Sequence, residues 1–140
     1  MKQSQLNDIA VFLLRLALGA VLIAHSLYLK LFVFTLPGAA NFFVSLGLPA
    51  LFAYVVFVIE AVTGIMLILG IQTRWVALLV APVLAGATWA HWANGWMFSF
   101  DGGGWEYPLY LTLLAIVQFI IGDGAYSLVK SRPIPSTVAA

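Results

Sequence analysis

Six ionisable side chains stand inside or beside apolar runs: Arg15, His25 and Lys30 in the first run, Glu60 in the second, and His91 and Glu106 on either side of a glycine-rich stretch. In hydrocarbon each such group is costly unless it has a partner or a task, so their types and spacing are the first guide to chemistry. Imidazole and carboxylate together make a proton relay, because histidine titrates near neutral pH and donates at one ring nitrogen while accepting at the other. The same set suits a quinone headgroup, whose carbonyls need donors and whose reduction needs protons. Two histidines with a carboxylate also form a zinc or non-haem iron set, and two on facing helices an axial pair for haem. No His-x-x-His or His-x-x-x-His spacing supports a local metal motif.

The elements that must position these groups follow from composition. Of 140 residues, 64% are hydrophobic and 8% charged, and the mean hydropathy is +1.07. A water-exposed domain carries roughly 25% charged residues, so the outer surface must face lipid. A net charge of +1 gives no reason to expect a nucleic-acid partner. With no cysteine, the chain carries no disulfide, iron–sulfur cluster or thiol chemistry of its own. Electrons for any redox reaction must come from another molecule.

The pattern predicts an all-α fold: an antiparallel bundle of four transmembrane helices at about 7–36, 50–69, 74–92 and 105–121, each long enough to cross a hydrocarbon core, which takes roughly 20 helical residues. The first run is too long and too charged for a signal peptide. The stretch 37–49, bounded by Pro37 and Pro49 and free of charge, suits a short interfacial helix. Gly70 is placed as a helix C-cap, the tight link after it makes a helical hairpin, and Pro82 suggests a mild kink. Residues 1–130 form one domain, and 131–140 a flexible cytoplasmic tail. Lys2, Arg74, Lys130 and Arg132 fall on one side of such a bundle, which the positive-inside rule makes cytoplasmic. The stretch 91–108, HWANGWMFSFDGGGWEYP, then lies outside. Trp89, Trp92, Trp96 and Trp105 suit an aromatic belt there. Small residues such as Gly19, Ala20 and Gly64 read as close contacts between helices.

At 1.5 Å per residue, His25 and His91 reach similar depth near the outer surface, where Glu106 begins the last helix. Glu60 sits near the midplane and Arg15 nearer the cytoplasm. Two groupings result. Arg15 pairs with Glu60 as a buried support, and His25, His91 and Glu106 form an outer set with Lys30 at its rim.

Several residues carry a family resemblance: Arg15, Gly19, His25 and Lys30, GLP at 47–49, Glu60 and Gly64 in EAVTGIMLILG, Thr73 and Arg74, His91, GGGWEYP, and GDGAYSL at 122–128. Together they resemble the DoxX family of small bacterial and archaeal membrane proteins. Family members often have glycine after the first histidine and lysine four residues on; here Ser26 follows and Lys30 is five on. The resemblance implies a four-helix membrane protein linked with respiratory or stress redox chemistry, some relatives accompanying quinol-oxidising or oxidant-defence enzymes.

The combined expectation is a bacterial inner-membrane component of a quinone-linked redox system. His25 and His91 act as hydrogen-bond donors and proton carriers, Glu106 as proton acceptor or orienter, and Arg15, Glu60 and Lys30 hold the ligand. The expected ligand is a quinone, with no metal assigned. The alternative is a non-catalytic subunit or scaffold that docks a partner redox enzyme, and pairing with a second copy is compatible with either.

Overall fold

In the computed structural model, residues 1–134 are described; the expectation for the tail from 135 on lies outside them. Among the described residues there are five α-helices and no strand, apart from one isolated bridge between Ile71 and Val129. The helices are α1 (Gln3–Ile23), α2 (Leu36–Ser45), α3 (Leu51–Leu69), α4 (Thr73–Ala90) and α5 (Glu106–Ile121). A π-helical segment, Ala24–Val33, continues α1. The continuous helix Gln3–Val33, together with α3 and α4, is long and apolar enough to cross a membrane; α5 is apolar but shorter, at 16 residues.

Element ends follow local chemistry. Gly70 closes α3 in the left-handed conformation, φ +74°, where a glycine carries no Cβ penalty. Thr35 caps α2 through its side chain, which accepts from the Gly38 amide, and Pro37 fits the first helical turn. Helix α4 runs on through Pro82. Ser131 is tied down by Asp123, so the chain is still anchored where the sequence suggests a free tail.

The central core joins Leu18 and Leu22 of α1 to Leu67, Val80, Leu84 and Leu111. A smaller cluster of Ala39, Ala40 and Ala53 seats α2 against α3. Large apolar side chains such as Leu13, Phe32, Val58, Leu79 and Ile120 point outward, as expected of a surface solvated by lipid. Helices α1 and α3 pack through glycines: a Cβ on Gly19 would stand 2.8 Å from the Gly64 carbonyl oxygen and 2.7 Å from the Ile68 side chain. Backbone against backbone leaves no room to adjust. Gly19→Ala is expected to destabilise the protein by about 1.5 kcal/mol, read as a lowered thermal midpoint in detergent.

The step from α1 to the π-segment changes the hydrogen-bond ladder from i−4 to i−5. His25 Nδ1 lies 2.9 Å from the Val21 oxygen, and Ser26 Oγ donates to Leu22 O at 2.8 Å. Two of the side chains at this junction thus serve the backbone. The wider turn also places Lys30, which pairs with Glu60 of α3 at 2.5 Å.

Candidate functional site

His25, at the start of the π-segment, and His91, the C-cap of α4, line one cavity of about 200 Å³ between α1, α4 and α5. Tyr107, Phe98, Gly103 and Gly104 complete its polar end; Val21, Leu22, Leu84 and Leu111 form its floor. Tyr107 stacks on the His25 ring at 6.0 Å, and Phe42 of α2 on His91 at the same separation.

The loop between α4 and α5 is built to hold His91. Its Nδ1 lies 3.0 Å from the Gly102 oxygen, which also accepts from Asn94 Nδ2. Gly102 and Gly103 have φ of +81° and +77°, and a Cβ on Gly104 would collide with the backbone of Trp96 and Met97. The Trp105 and Glu106 amides donate to the Gly95 and Trp96 carbonyls, closing the loop. Trp92 and Trp105 stack at 4.9 Å across it.

Donor and acceptor roles follow. A carbonyl oxygen only accepts, so each imidazole, when neutral, carries its proton on Nδ1 and leaves Nε2 as an acceptor. Neither Nε2 bonds to another described residue. In that tautomer the free ring nitrogen accepts, whereas the sequence suggests donors.

The other expected members are placed elsewhere. Glu106 Oε1 accepts from the Phe98 amide at 3.1 Å and does not line the cavity, so it orients the loop. The expected Arg15–Glu60 pair is not formed. Glu60 takes Lys30 instead, both largely buried, because the π-segment delivers lysine to the α3 face. Lys30 is consequently the partner of Glu60 rather than a free group at the rim. Arg15, 1% exposed, donates to the carbonyls of Asp123 and Tyr126 at the opposite end of α1 from His25. Among the described residues, no group of three or more His, Asp or Glu side chains is arranged to hold a metal ion.

That opposite end has its own organising residue, Asp123, which the sequence shows only within the GDGAYSL motif. The Asp123 carboxylate accepts from the amide and hydroxyl of both Thr73 and Ser131, at 2.6 to 2.8 Å. Burial alone would raise its pKa; these four bonds outweigh it and hold the carboxyl below its ordinary value. An aspartate between two glycines directly after an apolar run was the available signal. Tyr107 was also overlooked, although it adjoins Glu106 in the same motif.

Comparison with known proteins agrees with the resemblance. A family model described as DoxX matches residues 10–92. This range includes Arg15, His25, Lys30, Glu60 and His91 but stops short of GGGWEYP and GDGAYSL, so it covers less of the chain than the motifs suggested. A protein of Bacillus subtilis (strain 168) described as "Putative oxidoreductase CatD" is 38% identical over 80 residues, 57% of this chain and 58% of that one. The similarity thus spans little more than half of either protein. No solved structure matches.

Proposed function

The chain belongs to the DoxX family and is a multi-pass membrane protein, and on that premise we propose that it is a membrane component of a quinone-linked redox system. The observation that carries this is the pairing of His25 and His91 across one cavity, each with Nδ1 on a backbone carbonyl. Two Nε2 acceptors, apolar walls and the Tyr107 ring suit a dihydroxy aromatic ring, the reduced form of a quinone. Such a ring supplies two electrons and two protons on oxidation. His25 and His91 are positioned to take the protons, and the electrons leave to a partner, since the chain has no cysteine-based redox group of its own. The "oxidoreductase" in the Bacillus relative's description supports the same theme.

We further read the chain as four antiparallel spans, α5 included, in a bacterial inner membrane with both termini cytoplasmic. Lys2, Arg74, Lys130 and Arg132 support that orientation, and the contacts joining Asp8 to Ala125 and Trp75 to Arg132 gather these segments at one end.

The test is binding of trimethylhydroquinone and its oxidised form to the purified protein in nanodiscs. His25→Leu and His91→Leu are each expected to weaken binding of the reduced ring about tenfold, the worth of one good hydrogen bond, and binding of the oxidised ring less. Unchanged affinity in both variants refutes the site.

A further inference from the structure

A second cavity, of about 240 Å³, lies beneath α2, between it, α3 and α4. Its walls include Phe42, Phe43, Phe52, Val56, Gly86 and Trp89, and His91 is the only ionisable side chain among the described residues lining it. Ala87 and His91 line both cavities. The two cavities therefore adjoin at the imidazole, the histidine-lined one on one side and an aromatic and aliphatic one on the other.

Gly86 lies on the exposed, open side of this cavity and leaves it unfilled. A Cβ there would meet nothing within 4 Å, whereas one on Gly19 or Gly64 would run into the facing helix. Glycine weakens a helix interior, and at Gly86 no close helix contact calls for it. What its missing side chain does is leave room in the chamber. Apart from His91, its lining is apolar and gives water little to bond to, which suits it to hydrocarbon.

We propose that this chamber holds the apolar chain of the same ligand whose ring sits between His25 and His91, which makes the ligand a chain-bearing, membrane-dissolved quinol. This rests on the reading of the polar cavity given above. A bilayer acyl chain has similar chemistry, but the shared His91 and Ala87 walls join the chamber to the ring site. Helix α2, whose Phe42 stacks on His91, is then the wall past which the chain enters.

The experiment uses the full-length protein in nanodiscs and trimethylhydroquinone carrying no, one or two isoprene units, with Gly86→Leu and the milder Gly86→Ala. Partition into the lipid is the same for every variant, so the ratio of wild-type to variant affinity isolates the chamber. For the chainless ring that ratio is expected to stay near one. With two isoprene units Gly86→Leu is expected to bind at least about fivefold more weakly, through lost packing contacts, and Gly86→Ala to fall between. Equal ratios at every chain length overturn the chain assignment while leaving the ring site intact. Failure of wild type to bind any of the three compounds overturns both readings.

Discussion

Glu60→Leu is expected to destabilise the protein by about 3 kcal/mol, and the double variant Lys30→Met/Glu60→Leu to recover most of that loss. The reason is the nearly complete burial of the pair: side-chain exposures are 16% for Lys30 and 9% for Glu60. Removing one partner strands the other charge in a medium that solvates it poorly. Removing both leaves two apolar side chains of similar length where hydrocarbon already surrounds them. The single changes are not equivalent. Lys30 lies near the end of the long first helix and can extend its ammonium toward the interface. Glu60 sits mid-helix in α3, on a short side chain with nowhere to go. Lys30→Met is therefore expected to cost more than Glu60→Leu. Thermal midpoints of the four proteins in one detergent provide the double-mutant cycle. Additive losses would show that the two side chains do not depend on each other.

Asp123→Ala is expected to cost about 2 kcal/mol, allowing for solvent screening at this half-buried site, because it takes the acceptor from four hydrogen bonds at once. Those bonds hold the start of α4 and the segment after α5 together, and the same turn receives Arg15 of α1. The pH dependence has a definite sign. The folded carboxyl is held below its ordinary value, so its contribution is fully present above the unfolded pKa of about 3.9 and is lost as pH falls through the folded one. Thermal midpoints of the wild type between about pH 6 and pH 2.5 are expected to drop more steeply below pH 4 than those of Asp123→Asn, which cannot titrate there. Parallel curves would remove Asp123 from the acid sensitivity.

Helix positions were legible in the sequence because apolar length and Gly or Pro punctuation are local properties. The 37–49 stretch was recognisable as a separate helix by its two prolines, and the last helix was placed to within a residue at its start. Partners were harder. Depth along the axis brought His25 and His91 together correctly, but depth says nothing of azimuth, and azimuth decides which cation faces Glu60. Arg15 and Lys30 lie on opposite sides of the expected midplane, and only the π-segment settles the choice in favour of lysine. The donor or acceptor character of the histidines was hidden for a related reason: it depends on the Val21 and Gly102 carbonyls, which look like any others in a sequence. Glu106 was grouped with the histidines on proximity, yet the loop's own amide claimed it.

The spacing of Lys30, five residues beyond His25, has a further meaning in the light of the π-segment. An added residue in an ordinary helix turns everything after it by about 100°, which would carry the lysine off the α3 face. Five residues of a π-helix return to nearly the same side as four of an α-helix. The segment Ala24–Val33 thus sets the phase of the helix: over a spacing of five it keeps Lys30 on the face that meets Glu60 of α3.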